Sequence, residues 1–225
     1  MTVKTIHVAQ NALSANREIA EQNRAAFDSA GVVAVNLMAS PGAGKTSLIE
    51  RTIGELKGQI RIAMINSDTS PAAMDAERAE RAGAVTVHLN TTGRCHLDAG
   101  MIRTAIACLP LPDIDLLFVE NIGNLVCPAA WRLGTHSSVL IASTPEGDDK
   151  PYKYPKMYRG VDALVINKID LLPYVTFNVD YFREGVETLN QALITFPLSC
   201  RSGVGLNPWL EWIVSLAVRQ PAVAR

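Results

Sequence analysis

The sequence predicts an α/β fold with a mainly parallel central sheet of about seven strands and helices on both faces. Short apolar, often β-branched runs recur along the chain, as is typical of strands covered on both faces. They alternate with segments of helical periodicity, which favours a doubly wound arrangement. The strands are predicted at residues 32–38, 62–66, 84–89, 116–120, 139–143, 163–167 and 194–198.

Capping residues place helices between these strands. A polar, Ala-rich segment at about 8–30 predicts an N-terminal helix. Ser70-Pro71 supplies an N-cap and a first helical residue, and Gly83 ends that helix. Asn207-Pro208 opens the last helix in the same way, with a predicted buried stripe of Leu210, Ile213, Leu216 and Ala217.

Length and composition indicate one globular unit. The 225 residues suit a single domain spanning 1–225. A net charge of -1 indicates no attraction to nucleic acid or to a membrane surface. No apolar run approaches the ~18 residues of a membrane span, and the N-terminus is polar rather than a signal-peptide core. We therefore expect a cytoplasmic protein without nucleic-acid or membrane partners.

A glycine-rich loop joins the strand at 32–38 to the next helix. Glycines let the backbone curl so that several N–H groups converge on an anion at the helix N-terminus. The lysine adds charge for the outer phosphates, and the following hydroxyl reaches Mg²⁺. The pattern departs from the consensus at Ala39, where glycine is usual. It predicts a P-loop NTPase fold that binds nucleotide through Gly42, Ala43, Gly44, Lys45, Thr46 and Ser47.

A second motif selects the base. Asn167, Lys168 and Asp170 follow the strand at 163–167, on the side where open α/β sheets bind ligands. A carboxylate accepts hydrogen bonds from the ring N–H and the exocyclic amine of guanine, whereas adenine presents an acceptor there. The segment after the final strand, where GTPases place a loop against guanine, is Ser199, Cys200 and Arg201. GTP is therefore the predicted nucleotide.

Acidic residues at two strand ends are the candidates for Mg²⁺ and for catalysis. Asp68 and Glu120 are expected to meet the ion on either side of Thr46, through water, because Mg²⁺ retains much of its hydration. Asp68 also suits the polarisation of an attacking water, and Lys45 suits neutralisation of phosphate charge. Asp75 is a weaker candidate, and a solvated helix position explains it as well.

Cysteine and histidine residues form a candidate transition-metal site. Cys95, His96 and Cys127 follow strand ends, and two thiolates with one imidazole suit Zn²⁺ or Ni²⁺. Spacing alone leaves open that they are structural residues. The fourth ligand is water, Asp98 or a residue of a second subunit. Of the other candidates, Cys108 is predicted as a core thiol, Cys200 as no ligand, His7 and His88 as structural or exposed, and His136 as undecided.

These motifs together resemble the HypB family, nickel-insertion GTPases of nickel–iron hydrogenase maturation that belong to the SIMIBI class of P-loop GTPases. The segment 120–128, E-N-I-G-N-L-V-C-P, is a long and specific carrier of the resemblance. Further carriers are 39–46, 93–99, 146–151 and 167–172. The chain is unlike the urease accessory GTPase, whose Cys-Pro-His motif is absent.

The resemblance implies GTP hydrolysis, GTP-dependent homodimerisation and a nickel or zinc site at the dimer interface. It assigns that site to Cys95, His96 and Cys127, and puts Glu120 in place of the usual Walker-B aspartate. It also implies partners among the hydrogenase maturation proteins. The loop 146–156 is expected to face nucleotide or a partner, with Lys150 and Lys153 as its candidate residues.

Two departures from the family pattern limit the resemblance. The sequence has no Cys-rich or His-rich N-terminal motif, so a nickel-storage role is not expected. The segment 66–70 also lacks the Gly-Asp pattern of the family, which bears on the geometry of the Mg²⁺ loop.

Two other functions remain as alternatives. An ATP-driven partition or transport ATPase shares the broad fold, but those proteins carry a second lysine where this chain has Ser40, and they lack N-K-x-D. A non-catalytic metal-binding dimer with a vestigial P-loop is the other, and intact Lys45, Thr46 and Asp170 argue against it.

Overall fold

A parallel sheet dominates the structure, a computed structural model that describes residues 8–69 and 73–218, with side chains from residue 11 onward. Within these ranges every strand pair is parallel. The strands are β1 (Val33–Ala39), β2 (Ile62–Asp68), β3 (Val85–Asn90), β4 (Leu116–Glu120), β5 (Ser137–Ser143), β6 (Ala163–Asn167) and β7 (Ile194–Pro197). Their order across the sheet is β3-β2-β4-β1-β5-β6-β7.

Eight α-helices connect or flank these strands in the described residues. They are α1 (Val8–Ala30), α2 (Lys45–Leu56), α3 (Met74–Ala82), α4 (Ala99–Ile106), α5 (Lys150–Lys153), α6 (Pro155–Arg159), α7 (Val179–Leu189) and α8 (Leu206–Val218). Short 3₁₀ turns occur at Leu111–Asp113, Cys127–Ala130, Thr144–Glu146 and Ile169–Tyr174.

The core lies on both faces of the sheet because strand side chains alternate between them. One face packs α2, α3 and α8 around residues such as Leu37, Phe118 and Trp209. The opposite face packs α1 and α4 over one half of the sheet and α6 and α7 over the other, around Phe27 and Phe182. The predicted α/β class with helices on both faces is confirmed.

The predicted strands all occur, with ends that shift by one or two residues. β2 extends to Asp68, so this residue ends the strand instead of following it. The five inner strands are buried, whereas the edge strands β3 and β7 are largely half-buried or exposed. Continuous burial was expected of all seven, but an edge strand has a neighbour on one side only.

Three helical predictions need correction. The described part of α3 begins at Met74 and not at Pro71; Ser70 and Pro71 lie outside the described residues. α8 begins at Leu206, and its deepest residues are Leu206, Trp209 and Ile213, while Leu210, Leu216 and Ala217 are half-buried. Cys108 is exposed, not a core thiol, because α4 ends at Ile106 and its buried face continues through Ala105 to Leu109.

The carboxyl ends of all the strands lie at one edge of the sheet, where the P-loop and the polar strand-end residues also lie. In parallel α/β sheets this edge is where ligands bind. None of the helices in the described ranges is long and apolar enough to cross a membrane.

Candidate nucleotide and metal site

The P-loop turns from β1 into α2 through two left-handed glycines. Gly42 has φ 77° and Gly44 has φ 102°, a region that only glycine enters without strain. A Cβ on Gly44 would also lie 2.4 Å from Asn167 Nδ2. α2 then begins at Lys45, and its first backbone N–H groups point into the loop. The loop has the form of an anion cradle at a helix N-terminus.

The P-loop hydroxyl and the acid that ends β4 are in direct contact. Thr46 Oγ1 donates a 2.7 Å hydrogen bond to Glu120 Oε1, and Asn66 Nδ2 donates a 3.0 Å bond to Glu120 Oε2. Glu120 is only 3% exposed. Burial raises the pKa of its carboxyl, and the Lys45 ammonium and these two hydrogen bonds oppose the rise. A Thr hydroxyl beside a fixed carboxyl group is suited to an Mg²⁺ ion and its waters.

The Lys45 ammonium lies in an acidic environment. Burial lowers its pKa, while the charges of Glu120, Asp75, Glu146 and Asp68 act against this, Glu120 most strongly. Asp68, half-buried at the end of β2, accepts a 3.3 Å bond from Thr69 Oγ1, and Asp75 lies 3.4 Å from Arg78. In a complex with a nucleoside triphosphate and Mg²⁺, the phosphate charges would neutralise the Lys45 ammonium, and Mg²⁺ would neutralise the nearby carboxylates.

Glu146, the first residue of the loop expected to face nucleotide or a partner, contacts the P-loop. Glu146 accepts a 2.6 Å hydrogen bond from Ser143 Oγ and another from Ser40 Oγ. It thereby ties the start of the P-loop to the end of β5. The candidate lysines of the same loop have local partners: Lys153 pairs with Asp149, and Lys150 Nζ lies 5.9 Å from the centroid of the Tyr154 ring.

The N-K-x-D segment is built onto the P-loop. Asn167, 2% exposed, donates to Ala43 O at 2.9 Å and accepts from the N–H groups of Lys168 and Cys200. Lys168 has φ 62°, unusual for a residue other than glycine, and its Nζ donates to Gly42 O at 2.7 Å. Hydrogen bonds thus connect the P-loop, the N-K-x-D segment and the loop after β7.

A surface cavity of about 650 Å³ opens beside this segment. It borders α2, the N-K-x-D segment and the loop after β7, and Ser199 beneath it is fully buried. Burial raises the pKa of Cys200 to about 11, so this residue stays a thiol at neutral pH. The predicted base residues that line the cavity are Asn167, Lys168, Asp170, Ser199, Cys200 and Arg201.

The cysteine–histidine cluster forms at the loops after β3 and β4. The ligand atoms of Cys95, His96 and Cys127 lie within 4.8 Å of one another. Cys95 Sγ is 3.0 Å from Cys127 Sγ and 3.7 Å from His96 Nδ1. Sulfur ligands that share one tetrahedral ion at about 2.3 Å lie ~3.8 Å apart. The three atoms therefore fit one Zn²⁺- or Ni²⁺-sized ion with shifts below about an ångström.

The surroundings fix the imidazole and leave one side open. The His96 ring stacks on Trp131 with centroids 4.5 Å apart and an interplanar angle of 21°. Burial lowers the pKa of His96, which favours the neutral ring that binds metals. Asp98 is outside the cluster: it caps α4 by accepting from Met101 N–H at 2.9 Å, and it pairs with Arg94. Cys95 is exposed, so a further ligand can approach from solvent or from another chain.

The two sites share one stretch of chain. Glu120 contacts the P-loop, Cys127 belongs to the cluster, and the segment between them packs back onto the P-loop at Gly123. A Cβ on Gly123 would lie 2.9 Å from Pro41 N and 3.0 Å from Pro41 Cα. Only glycine permits this approach of two backbones. The sequence motif contains Gly123, but the contact with Pro41 depends on the strand order.

Two of the remaining histidines make structural hydrogen bonds. His136 Nδ1 accepts from Ala34 N–H at 2.9 Å, and its Nε2 lies 2.8 Å from Asp28 Oδ1. His88 Nδ1 lies 2.7 Å from Asn66 Oδ1. His7 lies outside the described residues.

Comparison with known proteins identifies the family. Residues 33–196 match the family model described as the nucleotide-binding domain of CobW, HypB and UreG. A hydrogenase maturation factor HypB from Rhizobium leguminosarum bv. viciae is 41% identical over 96% of this chain and 72% of its own length. The chain belongs to the HypB family.

Solved structures of HypB proteins have the same fold. HypB from Archaeoglobus fulgidus superposes with a TM-score of 0.84 at 36% identity, over 91% of this chain and 99% of its own. HypB from Helicobacter pylori, solved in complex with nickel, gives 0.85 at 30% identity over 90% and 94%. The family match includes the P-loop, both cluster loops and the N-K-x-D segment, while Ser199, Cys200 and Arg201 follow it.

Proposed function

We propose that this chain is a GTPase switch that carries nickel, or zinc, and assists nickel insertion into nickel–iron hydrogenase during its maturation. Membership of the HypB family supports the process, and the crystallised relative with nickel supports the cargo. The cavity beside Asp170 supports guanine as the base. We propose that this function takes place in the cytoplasm, where thiol ligands remain reduced.

The observation that carries the proposal is the shared segment 120–127. Its first residue accepts a hydrogen bond from the P-loop hydroxyl, and its last residue belongs to the thiol cluster. Binding or loss of Mg²⁺ or of the γ-phosphate at Thr46 therefore acts on the segment that carries Cys127. This is the kind of coupling by which nucleotide switches alter a distant site.

The proposed hydrolysis assigns one role to each strand-end residue. Lys45 and the P-loop amides bind the outer phosphates, and Thr46 with Glu120 and Asp68 holds Mg²⁺. Asp68 polarises the water that attacks the γ-phosphorus, and the bond to the bridging oxygen breaks to give GDP and phosphate. Phosphoryl transfer requires mainly positioning and neutralisation of charge, which this group of residues can supply.

We further propose that GTP promotes a homodimer with the metal at its interface. Cys95, His96 and Cys127 give three ligands, and Cys95 is exposed where a second chain can contribute the rest. Both Zn²⁺ and Ni²⁺ accept this donor set. Each chain would act as one GTPase domain, in keeping with its single sheet. The GTP-bound dimer with its metal would be the form that contacts the other maturation proteins.

The base assignment is tested by nucleotide titration. We expect the wild type to prefer GTP to ATP, and Asp170→Asn to lose at least about 100-fold in GTP affinity. The amide keeps one acceptor oxygen but turns an NH₂ donor toward the second guanine N–H donor. The same variant should gain affinity for xanthosine triphosphate, which presents an acceptor in place of the amine. A wild type that prefers ATP would overturn the GTPase proposal.

The metal assignment is tested by Ni²⁺ and Zn²⁺ stoichiometry with a GTP analogue present. Cys95→Ala and Cys127→Ala should each abolish high-affinity binding of the ion. Cys108→Ala is the matched control, since Cys108 is an exposed thiol outside the cluster. Unchanged stoichiometry in both cluster variants would remove these residues from the proposed mechanism.

A further inference from the structure

A row of three polar side chains crosses the sheet beside the P-loop. His88 of β3 pairs in register with Asn66 of β2, which pairs in register with Glu120 of β4. Their side chains are joined in the same order, with His88 Nδ1 2.7 Å from Asn66 Oδ1 and Asn66 Nδ2 3.0 Å from Glu120 Oε2. The row ends at Thr46, 2.7 Å from Glu120 Oε1.

The hydrogen-bond directions in this row are fixed from the P-loop outward. Asn66 donates its amide N–H to Glu120, so its oxygen faces His88. That oxygen can only accept, so His88 Nδ1 must carry the proton and donate. His88 Nε2 is buried and has no hydrogen-bond partner among the described residues. The ring thus makes its polar contact through Nδ1.

We propose that His88 is a positioning residue for the Mg²⁺ and phosphate site: it orients Asn66, which holds the Glu120 carboxyl group against Thr46. This inference rests on the proposed GTPase function. Glu120 is 3% exposed, so few water molecules can stabilise a second orientation of its carboxyl group. Removing the direct hydrogen-bond partner of a metal ligand typically changes metal affinity or activity by about 10- to 100-fold. Because His88 acts one contact further out, through Asn66, we expect its effect at the lower end of this range.

The alternative role for His88 is to fill space at the sheet edge. His88 is half-buried on β3, the outermost strand on its side of the sheet. If space filling is its role, a ring without a donor should replace it. If donation to Asn66 is its role, a smaller side chain with an N–H at the same place should replace it instead.

Two variants separate these roles. His88→Phe keeps a flat ring and removes the donor. His88→Asn removes the ring and presents an amide N–H near the position of Nδ1. For each variant we would measure the Mg²⁺ concentration that half-saturates GTP hydrolysis, GDP affinity in EDTA and thermal unfolding.

We expect His88→Phe to raise the half-saturating Mg²⁺ concentration about tenfold and to leave GDP affinity in EDTA within about twofold. His88→Asn should restore most of the Mg²⁺ response. Equal Mg²⁺ dependence in wild type and His88→Phe would overturn the inference alone, as would a folded His88→Asn that resembles His88→Phe. If His88→Phe does not fold, His88→Leu is judged by the same criteria. A wild type without Mg²⁺-dependent GTP turnover would overturn both the inference and the proposed function.

Discussion

At the scale of single residues, backbone conformation decides what the P-loop can tolerate. Gly44 combines φ 102° with a close approach to Asn167 Nδ2, and Lys168 adopts φ 62° to bring Nζ to Gly42 O. The glycine-rich motif predicts the positive φ of Gly44, because glycine adopts such angles without steric strain. The left-handed conformation of Lys168 has no comparable signature in the sequence.

Gly44→Ala tests this tight packing. A side chain at this position is strained by about 1–3 kcal/mol and would displace Asn167. We expect at least a tenfold loss of GTP affinity and a lower midpoint of urea unfolding. Gly54→Ala is the control for stability: it lies within α2, which begins directly after Gly44, and nothing lies within 4 Å of its added Cβ. It should be neutral or stabilise by up to about 1 kcal/mol. Equal effects of the two variants would contradict this prediction.

The P-loop motif indicates Thr46, and the position at a strand end indicates Glu120, because parallel strands end at one edge of a sheet. The spacing of Cys127 leaves a structural role open, and its metal role comes from the family resemblance. Asn66 and His88 could not be found in this way. Their contacts require the neighbour relation β3-β2-β4 and a specific register, neither of which follows from the apolar runs. The same limit applies to Glu146, whose hydrogen bond to Ser40 links positions far apart in the chain.

At the scale of elements, apolar runs located every strand to within about two residues, and composition located the described part of α1 and its end at Ala30. These signals failed where the chain leaves a helix or strand. Cys108 sits in an apolar run, but α4 has already ended and the residue faces solvent. Burial there depends on the direction of the chain after the helix, and composition does not specify this direction.

His136 connects α1 to β1 by hydrogen bonds, and this connection predicts that stability depends on pH. Its ring accepts from Ala34 N–H, bonds Asp28, and has a side chain only 14% exposed. Burial lowers the pKa of His136; the hydrogen bond to Asp28 opposes this shift and the charge of Arg24 adds to it. The unfolded chain therefore binds a proton, near the usual pKa of about 6.5, more readily than the folded one.

The contribution of His136 to stability is thus present above about pH 6.5 and decreases as the pH falls below it. His136→Asn offers an acceptor to Ala34 N–H and does not titrate. We would measure the free energy of unfolding in urea at about pH 7.5 and pH 5.5. Between these two pH values it should decrease less in this variant than in the wild type. An identical loss in both proteins would show that His136 does not cause the response.

At the scale of the whole molecule, the fold places the Glu120 contact with the P-loop and the thiol cluster on one strand-loop segment. The segment from Glu120 to Cys127 lies against the P-loop at the close approach of Gly123 to Pro41. The sequence motif pointed to a shared segment but gave no sign of that contact. In the proposed mechanism, this contact transmits a movement of the P-loop around bound phosphate to the thiol cluster. Linkage requires that the effect is reciprocal: bound metal must change nucleotide affinity by the same factor.

The central measurement is the Ni²⁺ dissociation constant in the GTP-analogue and GDP states, for wild type, Gly123→Ala and Gly160→Ala. A Cβ on Gly123 meets Pro41 backbone at 2.9 Å, whereas one on Gly160 has its nearest neighbour at 3.5 Å, so the second variant is the matched control. We predict a difference of at least about fivefold between the two states in wild type and in Gly160→Ala, and a smaller difference in Gly123→Ala. Equal Ni²⁺ affinity in the two states of the wild type would contradict the coupling.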